Sequence, residues 1–423
     1  MIASVSRRAC LLVAVLLVST APADNWMQWR GPNNDGVSRA KNLPAEWTAT
    51  RNVAWKVKLP GEGGSTPVVL DDRIFVTGQD SGGIFLLCLG TDGKERWRRS
   101  LGPAIRWARG DEGNGASASP CTDGSHVYVF AGNGTFAAFA LDGTERWRFN
   151  AQQRYGKFNI QFGMHSTPVL HGDRLYTQML HTAGQWVMCV DKATGKEVWK
   201  VDRPSDGTDE NEHSYASAFL WKNDKDAYLV CHGNDYTTAH RLQDGKEIWR
   251  VADLNPRDDT YNRFLRFVAS PLCTPDLIVI PTAKNGPVVG LDPAATGLVR
   301  KGSKFERWRL DRGTPDVPCP LLVDGLVYLC RENGELIVLD AKTGAQLYRR
   351  PTHNHRHRAS PLYADGKVYL TSRDGVVTVV QAGREFRKLA TNRLPDETAA
   401  SPVVANGRIY FRGFKYLWAI EAQ

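Results

Sequence analysis

One four-strand pattern recurs along the chain and constrains its fold more than any other feature. The clearest copy runs from Cys319 to Tyr348 and contains four short β-rich runs separated by turn residues. Asp324-Gly325 suits a two-residue hairpin turn, and Asn333-Gly334 and Lys342-Thr343-Gly344 supply two further turns. Each copy is therefore predicted to form a four-stranded antiparallel meander.

Eight copies can be recognised by their starts, which are separated by 41 to 53 residues. One four-stranded sheet cannot bury both faces, whereas copies arranged around an axis cover one another. The sequence thus predicts an all-β fold, an eight-bladed β-propeller of four-stranded antiparallel blades, with the small residues of each start at the crowded axis. The starts are Ser65-Thr66-Pro67, Ala118-Ser119-Pro120, Ser166-Thr167-Pro168, Ala216-Ser217-Ala218, Ala269-Ser270-Pro271, Pro318-Cys319-Pro320, Ala359-Ser360-Pro361 and Ala400-Ser401-Pro402.

A tryptophan recurs in the fourth strand of five copies. Broad apolar side chains suit packing between neighbouring blades, so we predict that these residues are structural. They are Trp97, Trp147, Trp199, Trp249 and Trp308.

The two ends of the repeat region complement each other. Val53 to Leu59 matches the fourth-strand pattern but no first three strands precede it, while Ser401 to Ala422 supplies only three strands. We therefore predict that the amino-terminal strand closes the last blade by pairing with Tyr416 to Glu421. The propeller would then span residues 53–423, and residues 24–52 would form an extension across its surface.

Residues 1–23 have the pattern of a signal peptide. Arg7 and Arg8 precede an apolar run from Cys10 to Val18, and Ala21-Pro22-Ala23 resembles a cleavage site. The apolar run is shorter than the roughly 20 residues that span a bilayer. These features predict export to the periplasm or beyond, with a soluble mature chain, and leave open the Sec or twin-arginine route.

Composition and motifs argue against several function classes. The net charge is +9, but no basic run is longer than a few residues, so nothing indicates binding to nucleic acid. No Gly-x-Ser-x-Gly elbow, phosphate loop or dinucleotide fingerprint occurs. No catalytic residue is therefore predicted, and we expect a monomer.

One pair of cysteines could form a disulfide. Counting outward from the Asp324-Gly325 turn places Cys319 opposite Cys330, and an exported protein meets oxidising conditions. The same count makes them a hydrogen-bonded pair, whose wider Cα separation is less favourable for a bridge. Both a disulfide and two free thiols remain possible.

The loops that enter the first strand of each blade should converge at one mouth of the channel. Residues three and five positions before each start proline share one strand face. Most of these are hydrogen-bond donors or cations, so they predict a mouth that binds an anionic or hydroxyl-rich ligand, or an acidic loop of a partner. The candidates are Glu62, His165, His213, Tyr215, Arg266, Arg356, Arg358 and Glu397, with Arg106, Trp107 and Arg109 from a nearby loop.

Three histidines alternate at His353, His355 and His357. In an extended segment they would project on one side and could hold zinc or nickel, or simply line the funnel. Because no carboxylate or thiolate completes the set locally, we predict no metal site and add His357 to the candidate binding residues.

The repeats resemble those of pyrroloquinoline-quinone (PQQ)-like propellers, the quinoprotein alcohol dehydrogenase-like superfamily. The resemblance rests on the Asp-Gly and Asn-Gly hairpins, on the Leu339 to Gly344 turn, and on the Asn25 to Pro32 opening. In the enzymes of this superfamily a tryptophan and a disulfide between adjacent cysteines sandwich the quinone, beside calcium and a catalytic aspartate. This chain has no adjacent cysteines.

The same resemblance extends to the propeller lipoproteins that support outer-membrane β-barrel assembly, although no lipobox is present. It implies a non-catalytic binding or scaffold module in the periplasm that acts on a protein or a small polar ligand without a cofactor. A dehydrogenase dependent on PQQ and calcium is the alternative.

Overall fold

Eight small antiparallel sheets follow one another along the chain in a computed structural model that describes residues 24–105, 114–283 and 286–423. Each sheet is built on an antiparallel meander, with one added strand in blade four and an amino-terminal closing strand in blade eight, so the predicted all-β eight-bladed propeller is confirmed. Asp-Gly and Asn-Gly turns join the strands where predicted, and Asp324 and Gly325 both adopt positive φ, as the tight hairpin requires.

The first four blades contain sixteen repeat strands, one further strand that is described below, and the two short helical elements of the described residues. A short helix, α1 (Ala151–Tyr155), and a 3-10 turn (Asp209–Glu212) lie in the loops before blades three and four. The strands are β2 (Val68–Leu70), β3 (Arg73–Asp80), β4 (Gly83–Gly90) and β5 (Glu95–Gly102); β6 (Cys121–Thr122), β7 (His126–Phe130), β8 (Thr135–Ala140) and β9 (Glu145–Asn150); β10 (Val169–His171), β11 (Arg174–His181), β12 (Gly184–Asp191) and β13 (Glu197–Asp202); β14 (Phe219–Lys222), β15 (Ala227–Gly233), β16 (Tyr236–Arg241) and β17 (Glu247–Val251).

The other four blades contain the remaining strands, including β1 at the beginning of the propeller. They are β18 (Leu272–Cys273), β19 (Ile278–Ile280), β20 (Val288–Leu291) and β22 (Glu306–Leu310); β23 (Leu321–Val323), β24 (Leu326–Cys330), β25 (Glu335–Asp340) and β26 (Gln346–Pro351); β27 (Leu362–Ala364), β28 (Lys367–Thr371), β29 (Val376–Gln381) and β30 (Lys388–Arg393); β31 (Val403–Ala405), β32 (Arg408–Arg412), β33 (Tyr416–Ile420) and β1 (Val53–Lys58).

One strand departs from the repeat. β21 (Gly297–Val299) lies between two strands of blade five in the sequence but pairs in parallel with β17 of blade four. Blade four therefore has five strands. The extra residues between β20 and β22 make this excursion possible. The repeat pattern did not predict it.

The last blade is closed as predicted. β1 pairs antiparallel with β33, from Val53 opposite Ile420 to Lys58 opposite Tyr416. The indole nitrogen of Trp55 in β1 donates a 2.8 Å hydrogen bond to the Thr91 carbonyl of blade one. β1 therefore completes blade eight and also joins it to blade one.

A closed circle of hydrogen bonds surrounds the axis and explains the small residues at the starts. In each blade the backbone N–H of one start residue donates to the side-chain oxygen or sulfur of the equivalent residue in the next blade. The circle is complete because blade eight donates back to blade one. The donor–acceptor distances in order are Thr66 to Ser119 2.9 Å, Ser119 to Thr167 3.1 Å, Thr167 to Ser217 2.9 Å, Ser217 to Ser270 2.9 Å, Ser270 to Cys319 3.2 Å, Cys319 to Ser360 3.0 Å, Ser360 to Ser401 3.0 Å and Ser401 to Thr66 3.2 Å.

Further from the axis, tryptophans join neighbouring blades at five of the eight interfaces. Their indole N–H groups donate to a carbonyl in the last turn of the following blade, which confirms the structural role predicted for most of them. Trp249 is the exception, because its indole nitrogen has no hydrogen-bond partner among the described residues. The bonds are Trp55 to Thr91 2.8 Å, Trp97 to Leu141 2.9 Å, Trp147 to Lys192 2.8 Å, Trp199 to Leu242 3.0 Å and Trp308 to Ala341 2.8 Å.

The glycine of the receiving turn is part of the same contact. Gly344 has φ +72°, and a Cβ added there would lie 2.7 Å from the Trp308 ring. Glycine is therefore required twice, for its backbone conformation and for the space that the indole occupies. This explains why a Thr-Gly turn and a tryptophan recur together in the sequence.

We predict that Gly344→Ala destabilises the protein more than Gly325→Ala does. Gly325 lies in the same blade at φ +73°, with nothing within 4 Å of an added Cβ. The Gly325 variant should lose about 1–2 kcal/mol from backbone strain alone, and the Gly344 variant a further 1–3 kcal/mol from the clash with Trp308. Urea unfolding of both variants measures the difference, and equal losses would show that the indole contact contributes nothing.

The amino-terminal extension crosses one face of the ring. The Met27 carbonyl accepts a 2.9 Å bond from Thr122 N of blade two, while Arg30 donates to the carbonyls of Pro320 (2.6 Å) in blade six and Pro361 (3.0 Å) in blade seven. Blades two and six lie opposite each other in an eight-membered ring, so residues 28 and 29 must pass over the axis.

Candidate functional site

The axis of the propeller contains a cavity of about 190 Å³. Seven of the eight residues in the hydrogen-bonded circle line it, and only Ser270 does not. The cavity is therefore surrounded by short polar side chains that also hold the blades together.

Trp29 closes the lower end of this cavity. Its ring lines the cavity and packs edge-on against Phe219 of blade four, with 5.6 Å between ring centroids. Because the extension crosses the axis at this point, the cavity opens only on the opposite face, where the loops entering each blade meet.

Four of the predicted mouth residues line the upper part of the cavity: His165, Tyr215, Arg266 and Arg358. A shared contact with Phe162 holds three of them in place. The Phe162 N–H donates to the Tyr215 hydroxyl at 3.3 Å, its carbonyl lies 2.7 Å from His165 Nε2, and the Arg266 guanidinium lies 5.1 Å from the centre of its ring.

The arginines of this rim are held by carboxylates. Arg266 pairs with Glu210 at 2.5 Å, and Arg358 pairs with Glu332 at 2.9 Å. Each arginine is therefore fixed in direction by a neighbouring blade's loop. Electrostatic attraction at the rim is correspondingly weaker than the row of cations in the sequence suggests.

Sequence reasoning missed two rim residues, Arg373 and Phe414, which also line the cavity. The Arg373 guanidinium stacks 4.3 Å from the centre of the Phe414 ring and pairs with Glu397 at 3.2 Å. Both lie in turns between the second and third strands of their blades, which reach the same face as the entering loops. That alternation of ends in a meander was the signal that could have found them.

An acidic pair lies beside the rim arginines. Burial, and then the negative charge of Glu332, raises the pKa of Asp316 to about 6. Although its own burial opposes ionisation, Glu332 keeps a pKa below its usual value because Arg358 stabilises the carboxylate. A second cavity of about 540 Å³ adjoins this pair, and the predicted residue Arg356 lines that cavity instead of the axial one.

The remaining candidates do not meet at the axial cavity. His213 hydrogen-bonds Thr182 at 3.0 Å, and His357 is fully buried with its Nδ1 2.9 Å from the His355 carbonyl. Glu397 reaches the rim only through Arg373, with 66% of its side chain exposed, and the Glu62 backbone pairs with Gln79. Arg106, Trp107 and Arg109 lie outside the described residues.

The histidine row is held by a carboxylate from the next hairpin. His353 Nε2 lies 3.0 Å and His355 Nδ1 3.7 Å from Asp374. No cluster of three or more residues able to hold a metal ion is found in the described ranges.

Of the two alternatives left open for Cys319 and Cys330, the structure has two free thiols. Cys319 points into the axial circle, where its Sγ accepts a hydrogen bond from Ser270 N. Cys330 instead packs in the core between blades six and seven. The observed pairing of these two strands begins at Leu321, so Cys319 lies outside it, and the two cysteine side chains belong to different layers of the propeller.

A family model described as outer membrane protein assembly factor BamB matches residues 88–302 and 298–423. The chain belongs to this family. The predicted resemblance to PQQ-like repeats is therefore confirmed. No curated protein matches the sequence. In the described part of the chain, no helix has the length and apolar character needed to cross a membrane.

Solved structures share the fold of this BamB family member at low sequence identity. BamB from Moraxella catarrhalis matches with a TM-score of 0.64 and 13% identity over 87% of this chain and 99% of its own. Quinohemoprotein alcohol dehydrogenase from Comamonas testosteroni matches with a TM-score of 0.67 and 13% identity over 95% of this chain and 81% of its own. Sqt1 from Saccharomyces cerevisiae matches with a TM-score of 0.63 and 9% identity over 88% of this chain and 99% of its own.

The likeness to dehydrogenases raises the question of whether the axial site fits a quinone and calcium. Its volume of about 190 Å³ is below the roughly 300–1,000 Å³ usual for organic ligands. Asp316 is the only carboxylate among the described residues that line it, and the sequence has no adjacent cysteines. These residues do not fit the quinone and calcium.

Proposed function

We propose that this protein is an exported, non-catalytic propeller that serves as a binding or scaffold module in the periplasm. Its contact surface is the rim of the axial cavity, and its partner is a protein that presents an acidic loop. Membership of a family described by an outer-membrane assembly factor supports the scaffold role. The amino-terminal signal-peptide pattern supports export.

The observation that carries this proposal is the composition and order of the rim. Arginine and tyrosine are enriched among residues that dominate binding energy at protein interfaces, and here aromatic rings hold them in place. Arg266 stacks on Phe162, and Arg373 stacks on Phe414. A partner would therefore meet guanidinium groups that are already oriented, which lowers the entropic cost of binding.

Phe264 supplies an apolar contact near this rim. Phe264 is 56% exposed, and its backbone N–H donates a 3.0 Å hydrogen bond to the Asn262 side chain. Its neighbour Arg263 is tied to Asp209 by two hydrogen bonds of 2.7 and 2.9 Å. An exposed aromatic side chain on a loop anchored in this way suits an acidic partner loop that carries an apolar residue.

We predict that Arg266→Ala combined with Arg358→Ala abolishes partner capture from periplasmic extract. Each charge-assisted hydrogen bond contributes about 1.5–3 kcal/mol when desolvated, so losing two weakens binding more than a hundredfold. The matched control is Arg241→Ala with Arg384→Ala, because these exposed arginines pair with Asp244 and Asp340 away from the rim. If the folded rim variant keeps every partner that the parent captures, the rim is not the contact surface.

The alternative of a dehydrogenase dependent on PQQ and calcium is favoured by one observation, the fold shared with the Comamonas testosteroni enzyme. A spectral titration with the quinone and calcium separates the two functions. Tight stoichiometric binding together with oxidation of an alcohol or an aldose would replace the scaffold proposal.

A further inference from the structure

The axial circle presents a ring of hydrogen-bond donors to the cavity. Each hydroxyl oxygen in the circle accepts the N–H of a neighbouring blade, and its own hydrogen finds no acceptor in the hydrogen bonds of the described residues. All of these residues are buried, the most exposed being Ser401 at 8%. A buried donor without a partner costs about 1–3 kcal/mol, so these hydroxyls favour an acceptor, either water or a bound anion, inside the cavity. The hydroxyls that line it belong to Thr66, Ser119, Thr167, Ser217, Ser360 and Ser401.

Arg266 adds a charged donor above this ring. Its Nη1 is used by Glu210, whereas Nε and Nη2 make no hydrogen bond with the described residues. Its side chain is 17% exposed and lines the same cavity. The donors of the described lining therefore outnumber its acceptors, because Asp316 is the only acidic side chain there.

The shape of the cavity limits what it can hold. Trp29 closes the lower end, so a ligand enters only past the rim. A volume of about 190 Å³ corresponds to roughly six water molecules at 30 Å³ each. Only a small group fits, and it must supply several acceptor atoms.

We propose that the axial cavity binds a small free oxyanion, a carboxylate or a phosphate, between the hydroxyl ring and Arg266. Oxygen atoms that carry negative charge accept several short hydrogen bonds at once, which neutral waters do less strongly. The hydroxyl ring lies below the rim, and the site shares Arg266 with the proposed protein-contact surface, so Cys319 is the residue that distinguishes anion binding from the capture of a protein.

Cys319 allows a direct test of this site, because it is the only member of the circle whose side chain has no hydroxyl group. A thiol is a weaker hydrogen-bond donor than a hydroxyl. Cys319→Ser completes the ring with the residue type found in five other positions, and it keeps the acceptor for Ser270 N. The substitution should therefore preserve the fold and tighten anion binding severalfold.

The test is calorimetric titration of the full mature chain with inorganic phosphate and with acetate, and with glycerol as the neutral control. We expect saturable binding of at least one anion and none of glycerol. Arg266→Gln should weaken it about tenfold to a hundredfold. Asp316→Asn should tighten it, because the only acidic side chain of the described lining is removed.

Two outcomes would overturn the proposal: no saturable binding of either anion to the parent, or affinities that are unchanged in Arg266→Gln and Cys319→Ser. Capture of a partner protein is measured separately on Cys319→Ser. Because Cys319 lies below the rim, that capture should equal the parent's. A failure of anion binding is thus distinguishable from a failure of the scaffold role.

Discussion

Lowering the pH from 7 to about 4.5 is expected to unfold this protein cooperatively. Four histidines are buried, and burial is the first cause that lowers their pKa values from 6.5 to about 4, and to about 3 for His232. They must therefore be neutral in the folded state, whereas an unfolded chain protonates them freely. They are His181, His232, His240 and His357.

These lowered pKa values determine how the free energy of unfolding depends on pH. A histidine whose folded pKa is lowered stabilises the fold above the unfolded value of 6.5, and this contribution is lost as the pH falls toward the folded value. Asp316 offsets one of the four protons, because its pKa of about 6 makes it protonated when folded. Near pH 5 unfolding thus takes up about three protons, and the free energy of unfolding falls by about 4 kcal/mol per pH unit.

Urea unfolding at pH 7, 6 and 5 measures this slope, and one substitution isolates one proton. Both ring nitrogens of His181 lack a hydrogen-bond partner among the described residues, and the ring packs against Phe158 and Trp186. His181→Phe keeps that packing and should reduce the slope by about 1.4 kcal/mol per pH unit. A slope that does not change in this variant would mean that His181 is already protonated in the fold.

The fold could be predicted because each blade is specified by short local sequence patterns, and these patterns occur eight times. A turn such as Lys342-Thr343-Gly344 specifies a hairpin within a few residues, and the tryptophan in the fourth strand of five copies marks the blade interface. The closing strand was predictable for the same reason, since Val53 to Lys58 carries a recognisable fourth-strand pattern without the preceding three strands.

The site was predicted less completely because it depends on contacts between blades. His213 and His357 share the spacing or loop position of the true rim residues, but His213 is half-buried against Thr182 and His357 is fully buried. The axial circle joins residues about 50 positions apart, such as Thr167 and Ser217, through a backbone donor that no sequence pattern reveals. The assignment of Cys319 to that circle, and not to a disulfide, follows only from its side-chain direction.

Replacing Val53–Lys58 by a Gly/Ser linker of equal length is expected to prevent stable folding of the whole ring. The half-buried side chains of Val53, Trp55 and Val57 would be lost from blade eight, together with the bond from Trp55 to Thr91. Burying three such side chains contributes roughly 4 kcal/mol or more, which is a large part of typical domain stability. β33 would also become an exposed edge strand beside an unsealed gap to blade one.

The matched control keeps Lys56, whose ammonium lies 3.9 Å from the centre of the Tyr416 ring of β33, and replaces only the outward-facing Ala54 and Lys58 with serine. These are exposed, so the melting temperature should stay within a few degrees of the parent. A synthetic peptide covering residues 50–60, added to the linker variant, should restore cooperative melting by pairing with β33 in place of the missing strand. A linker variant that melts like the parent without the peptide would show that the ring does not depend on this strand for closure.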